Sequence, residues 1–321
     1  MGAAAAHRGW GAARAAALLA VGLAAGPATA QGAGADGPLV ARTPHSVRAA
    51  GLGNAGAALL GDAASIFANP AGLALVRHVA VEAGYFGGPL EAYQAVGALG
   101  VRLAQFNLGF GIKHYDFGTE EEVVPDPATS GVTGIPTGAS VSAREFLGNG
   151  TLVYRFGLLA VGASVKLLQQ RVADLEARGV SGDVGMAIAV FDIMALGFAV
   201  QNVRGNWDEE SAMVLPRLTR AGFTMNYVDP QETYRLLSTV ELQWPAARPA
   251  RFLLGVEGGF VARAVGVLGR TAYATREEGR DTSHFTFGLS VTLGDLTVDY
   301  AYEPNQLLGD GTQRIGLRFT W

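Results

Sequence analysis

The chain holds no cysteine among its 321 residues, has lysine only at Lys113 and Lys166, and carries just 16% charged residues. Without cysteine there is no disulfide framework, no thiolate metal site, no thiol nucleophile and no lipid-modified cysteine at an export cleavage point. The net charge of −4 gives no basic footprint for nucleic acid. Five histidines, at positions 7, 45, 78, 114 and 284, show no H-E-x-x-H or other metal spacing, and G-x-S-x-G is absent. Asp281, Ser283 and His284 lie close in sequence, but neighbours on a strand alternate faces, so they read as a polar rim rather than a hydrolase site. These absences predict a protein with no catalytic residues, no metal and no cofactor.

Also missing, past the N-terminus, is any apolar run near the roughly 20 residues of a membrane-spanning helix. Yet the chain is 49% hydrophobic, with a mean hydropathy of +0.23. Its apolar residues are therefore dispersed, and the way they are dispersed is informative. The N-terminus is the exception: Arg8 and Arg14, an apolar stretch from Ala15 to Ala25, then Ala28, Thr29 and Ala30 form a three-part secretory signal over residues 1–30. An exported protein is expected.

The last nine residues, Gln313 to Trp321, place Ile315, Leu317, Phe319 and Trp321 on one face and Arg314, Gly316, Arg318 and Thr320 on the other. That is the pattern of the closing strand of an outer-membrane barrel, in which one strand face meets lipid and every backbone group is paired by closing the sheet. The alternation recurs along the chain, for example in Phe106, Leu108, Phe110 and Ile112, or Phe285, Phe287, Leu289, Val291 and Leu293. It gives fourteen segments near the about 9–11 residues a tilted spanning strand needs. Within them Glu82, Lys113, Arg155, Lys166, Asp183, Arg220, Glu241, Glu257, Arg270, Asp299 and Arg318 all fall opposite the apolar face. A one-residue slip would put these charges in lipid, at about 2–4 kcal/mol for each Arg or Lys at the midplane. They are expected to line a lumen of mixed charge without strong ion selectivity. Glu257, Arg270, Asp299 and Arg318 sit on neighbouring strands and are candidates for an ion-pair ladder.

Connections alternate between long polar ones (Gly118 to Ser142, Arg171 to Gly179, Asn202 to Pro216, Ala274 to Ser283, Glu303 to Thr312) and short ones (Arg102 and Leu103, Phe156 to Leu158, Phe191 to Ile193, Gly294 and Asp295). Outer loops and periplasmic turns alternate in this way. The fold class predicted is all-β, a transmembrane antiparallel β-barrel of about 14 strands over residues 79–321, in the outer membrane of a Gram-negative cell. Its partners would be outer-membrane lipid and the outer-membrane assembly machinery.

Residues 31–78 are not strand-like. Gly51, Gly53 and Gly56 match G-x-G-x-x-G, but no βαβ unit follows, so these glycines serve close packing and turns instead. Asp62 is positioned to cap a short helix through Phe67, which must end near Asn69 because Pro70 disfavours helical geometry before it. Here a resemblance enters. Gly53 to Leu73, with Asp62 and the run Asn69, Pro70, Ala71 and Gly72, resembles the N-terminal segment of the PorV/PorQ family and, more distantly, of FadL-like hydrocarbon transporters. Phe198 to Asn202, Pro216 to Phe223 and Leu296 to Tyr302 add weaker echoes. The resemblance implies that residues 31–78 fold inside the barrel as a plug containing a short helix, lodged by the turn at Asn69 and Pro70.

Two non-enzymatic functions follow. The PorV/PorQ resemblance, favoured by the compact chain and its short loops, implies a component of type IX-like protein secretion, with secreted proteins bound at the extracellular loops. The alternative is a FadL-like channel passing small hydrophobic molecules through the lumen, by plug movement or by a gap in the wall. Gly109 with Gly111, or Gly148 with Gly150, would supply that gap by weakening the strand ladder.

Overall fold

The computed structural model describes residues 37–88, 92–130, 132–190, 193–207, 215–230, 233–246, 248–262, 265–275, 283–304 and 311–321. The expected signal segment 1–30 and Asp281 lie outside them. Fourteen strands form a closed antiparallel barrel. They are β1 (Val79–Gly87), β2 (Tyr93–Leu103), β3 (Phe106–Pro125), β4 (Gly134–Phe156), β5 (Leu159–Val172), β6 (Leu175–Val190) and β7 (Met194–Trp207). β8 (Leu218–Val228), β9 (Tyr234–Pro245), β10 (Arg251–Ala262), β11 (Val265–Ala274), β12 (Phe285–Leu293), β13 (Leu296–Glu303) and β14 (Thr312–Thr320) complete it. Each strand pairs with its sequence neighbours, and β1 with β14 closes the ring. Trp321 fastens the seam: its carbonyl accepts from the amides of His78 and Val79, and its own amide donates to Val79.

The register follows the sequence pattern because its two faces meet different media. Phe110, Ile112, Val165 and Leu167 point outward and are 55–58% exposed. Between them in parity, Lys113 and Lys166 are buried. The closing-strand residues Ile315, Leu317, Phe319 and Trp321 are all exposed, as are Trp244 and Tyr300.

The strands run further than lipid requires. The predicted loop Gly118 to Ser142 is largely a paired ribbon, in which Thr119 to Pro125 faces Gly134 to Ser142, with one register shift just before Thr119 and another between Glu121 and Val123. The predicted loop Arg171 to Gly179 shrinks to a tight turn, with pairing kept to Val172 and Leu175 and Ala173 at φ 52°. Lipid-facing alternation stops at the membrane boundary, whereas backbone pairing is favourable in water too, so hydropathy marked the membrane limit and not the strand end.

Residues 37–78 fill the interior. Helix α1 (Leu39–Arg42), helix α2 (Val47–Gly51) and two 3-10 turns, Ala63–Phe67 and Pro70–Leu75, pack against the inner faces of the strands. Val40, Leu52, Ile66 and Leu73 are fully buried there, each contributing about 1.5–3 kcal/mol by leaving water. The wall makes room with small inward residues. At Gly109 and Gly111 an added Cβ would lie 2.6 Å from Leu73 and 2.5 Å from Phe67.

Leu317→Arg, on the lipid face of β14, is expected to lower barrel stability by about 2–4 kcal/mol. Arg318→Leu, one residue on, loses interior pairing instead. Urea titration of both variants in lipid vesicles checks the register, and an unaffected Leu317→Arg barrel would overturn it.

Candidate functional site: the plug and its seat

Two plug residues and four barrel residues form a closed ring of alternating charge. Arg48 Nη1 is 2.8 Å from Asp62 Oδ2, and Arg48 grips Glu257 on β10 in two-pronged fashion, at 2.8 and 3.1 Å. Glu257 Oε2 meets Arg270 Nε on β11 at 3.1 Å, and Arg270 Nη2 meets Asp299 Oδ1 on β13 at 3.0 Å. Asp299 Oδ2 meets Arg318 Nε on β14 at 3.4 Å, and Arg318 Nη1 returns to Asp62 Oδ1 at 2.7 Å. Ser290 bonds to both Arg270 and Asp299. No side chain of the ring is more than 12% exposed. A buried charge is tolerated best when paired and hydrogen-bonded: each of the three guanidinium and three carboxylate groups has ion-pair partners on both sides, while Arg270 Nε and Nη1 and Arg318 Nε make no hydrogen bond.

Asp62 is central, since it is the one carboxylate in the ring that the plug supplies. Burial alone would raise its pKa, but Arg318 and Arg48 outweigh that and hold it well below the usual carboxylate range. The capping role expected for Asp62 is not taken up: it stands at the N-terminus of the turn Ala63–Phe67, but its side chain makes no capping bond. Both oxygens go to guanidinium groups, which are the stronger partners.

Around the Asn69 turn, on the opposite side, the plug is held by neutral groups. Asn69, fully buried, donates through Nδ2 to the carbonyls of Ala57 and of Met186 on β6, and accepts at Oδ1 from the amide of Ala71. The wall beneath is bare: a Cβ on Gly185 would lie 2.0 Å from Asn69 Oδ1, and one on Gly162 2.7 Å from the Ala71 amide. Gly72 must lack a side chain because a Cβ there would come within 2.4 Å of Ser65 Oγ, and Gly53 adopts φ +69°. Wall amides then catch plug carbonyls: Asn107 bonds to Leu73 and Val76, Asn149 to Ile66, and Gln201 to Phe67.

The remaining inward charges also act on the plug or on one another. Glu241 accepts from the amides of Gly56 and Ala57, both at 2.7 Å, and pairs with Arg220 at 3.0 Å. Glu82 accepts from the Ala64 amide, and Lys113 donates to the Thr43 carbonyl. Lys166 pairs with Asp183 at 2.7 Å. Arg155 is half-buried near the β4–β5 turn. The inward charges are thus of mixed sign, and the plug lies against them. Arg48 and Glu145, which accepts from the Val40 amide, escaped the sequence reading. Inward parity counted back from Asn149 through Leu147 would have found Glu145; Arg48 left no signal, because nothing in the plug's pattern indicates facing direction.

The expected ladder gaps are not at the glycines named. Gly109 and Gly111 pair in register with Thr151 and Asn149, and Gly148 and Gly150 with Ile112 and Phe110. Register shifts fall instead in the β3–β4 ribbon and, between β6 and β7, from Gly182 to Val184. There Asn202, at φ 57°, donates its amide to Asp183, and its side-chain amide donates to the Pro216 carbonyl. Polar side chains thus stand in for the missing ladder bonds. Beside the short turn Gly157 to Leu159 a pocket of about 210 Å³ opens between Ala74 and Leu75 of the plug and the wall at Arg155, Ala160 and Ala189.

No protein-family model and no curated protein sequence matches the chain. Its fold is similar to that of several solved β-barrel proteins. The Ralstonia pickettii toluene transporter TbuX aligns with a TM-score of 0.57 at 14% identity, over 86% of this chain and 98% of that one. The Pseudomonas putida toluene transporter TodX aligns at 0.51 and 12%, over 85% and 96%. A Pseudomonas aeruginosa FadL homologue aligns at 0.52 and 13%, over 86% and 98%. The structural likeness found is to these proteins, and nothing in it supports the PorV/PorQ resemblance.

Asp62→Ala leaves Arg48 and Arg318 buried with one partner fewer and is expected to weaken the plug by about 3–5 kcal/mol, read as faster hydrogen exchange over residues 46–76. Gly197→Ala would set a Cβ 1.7 Å from the Ala57 carbonyl, so it should displace the plug and raise single-channel conductance; an unchanged, closed barrel would contradict the packing. His45 lies buried in the plug, its pKa pushed down to about 3 by burial, with Arg220 and Lys113 adding to the effect. The unpacked plug takes up that proton near the ordinary value of about 6.5, so plug stability is full above that pH and declines as pH falls towards 3. Hydrogen exchange from pH 7 to 4 should show progressive loss of protection, flattened in His45→Gln.

Proposed function

We propose that the chain is a non-enzymatic outer-membrane channel through which small hydrophobic molecules pass, rather than a component of protein secretion. The observation that carries this is the filled lumen. A plug seated by a closed ion ring on β10–β14 and by amides, Lys113 and Glu145 on β3–β7 leaves no broad aqueous path, so the barrel is not built as a general pore for ions or sugars. Hydrophobic cargo needs no such path. It needs an apolar lining and a movable obstruction, and the plug's apolar turns against a glycine and alanine wall supply both.

The fold shared with two toluene transporters and a FadL homologue supports the same reading, and favours the alternative drawn from the sequence over the secretion role. Outer-membrane location is supported by the apolar outward belt and by that same likeness. Secreted proteins at the outer loops find no specific support in the geometry.

The barrier to such cargo is the lipopolysaccharide leaflet, so the test belongs in intact Gram-negative cells. Expression of the chain is expected to speed entry of radiolabelled toluene while leaving the cells impermeable to large hydrophilic antibiotics. Unchanged toluene entry, together with a stoichiometric exported protein copurifying with the barrel, would overturn the channel and restore the secretion reading.

A further inference from the structure

On the outer wall of β3–β6 the surface changes from apolar to charged within one step of the pleat. The outward positions Ile112, Gly148, Leu167 and Val180 lie side by side on these strands, with Leu167 58% and Val180 49% exposed. Two residues nearer the long connections the outward row is His114, Phe146, Gln169 and Arg178, and two further on it is Asp116, Arg144, Arg171 and Glu176. The register therefore sets Arg144 directly opposite Arg171. Like charges in that position repel, and the carboxylates of the row relieve the repulsion only in part. Asp116 reaches Arg144 at 3.4 Å, while Glu176 is engaged by Arg178 at 2.5 Å and by Gln169 at 2.9 Å. Arg171 Nε reaches the Ala173 carbonyl at 3.4 Å, and Arg171 enters no ion pair among the described residues. Arg144 and Arg178 are open, with side chains 59% and 71% exposed.

We propose that Arg144 and Arg171, with Arg178 beside them, clamp a phosphate of lipid A, the phosphorylated glycolipid of the outer leaflet. The inference rests on the outer-membrane location and is independent of what the channel passes. Guanidinium groups match phosphate oxygens with paired N–H donors, so an anion held between Arg144 and Arg171 converts their repulsion into shared attraction. The site also has the layout of a lipid and not of a free anion. Leu167 and Val180 offer an apolar surface to acyl chains, and Arg171 stands four residues beyond Leu167 on the same face of β5, about 13 Å along the strand, where a headgroup follows its chains. The acidic run Glu120 to Glu122 stands beyond this level on β3, further from the apolar belt.

The test uses the purified full-length barrel in phosphatidylcholine vesicles, with lipid A and chemically dephosphorylated lipid A as probes. Lipid A is expected to bind and to raise the urea midpoint of the wild-type barrel, since a ligand of the folded state stabilises it. The double variant Arg144→Gln with Arg171→Gln should bind lipid A about thirtyfold more weakly and lose that shift. In phosphatidylcholine alone it should be at least as stable as wild type, because the opposed charges are gone; this readout separates a lipid site from a structural role of the arginines. Dephosphorylated lipid A should bind the wild-type barrel as weakly as lipid A binds the variant, and inorganic phosphate at the same concentration should not displace lipid A. Heat-modifiable migration on gels verifies that each variant is a folded barrel. Undiminished lipid A binding by the double variant, equal binding of the dephosphorylated form, or displacement by inorganic phosphate would overturn the clamp, as would a double variant destabilised without lipid A.

Discussion

Everything in this molecule follows from the need to put charge somewhere other than lipid. Strands that cross a membrane must close on themselves to pair their backbone, and closure creates an interior. Charged side chains excluded from the outer face are driven into that interior. Once there, in a space too narrow to hydrate them freely, they must be neutralised. Glu257, Arg270, Asp299 and Arg318 cannot form a closed circuit alone, because two guanidinium and two carboxylate groups on strands running β10 to β14 are left open at the ends. Arg48 and Asp62 close it. The plug is thus the counterion of its own barrel, and its position is fixed by electrostatics on one side and by shape on the other.

Shape on that other side is a matter of subtraction. The Asn69 and Pro70 turn enters because Gly162 and Gly185 contribute nothing but backbone, as Gly197 does beneath Ala57. Asn69 is suited to the spot since one amide group both donates outward to two carbonyls and accepts from the turn that follows it. A residue of similar size without both functions would leave the Ala57 and Met186 carbonyls with fewer donors in a dry environment.

Much of this was readable before any coordinates. Period-two alternation from Val79 to Trp321 gives strand number and face, because lipid punishes every error in parity. The charges at Glu82, Lys113 and Asp183 report the inner face for the same reason. What the chain does not reveal is pairing across long separations. Arg48 and Glu257 stand 209 positions apart, and the residues of α2 obey no pattern that says which of them faces β10. Strand ends were misplaced at the β3–β4 ribbon because hydropathy reports the membrane boundary while hydrogen bonding sets strand length. The wall interruption was sought at glycines, whereas it occurs at Asp183 and Asn202, whose polar side chains replace ladder bonds.

Arg318 belongs to the last strand, and that strand is also the one that meets β1 at the seam. The element that closes the wall therefore also supplies a buried charge to the ring: the intact seam holds Arg318 beside Asp62 and Asp299, and opening the barrel between β1 and β14 would draw one guanidinium away from both carboxylates. Neutralisation of the interior and closure of the wall are coupled through one side chain.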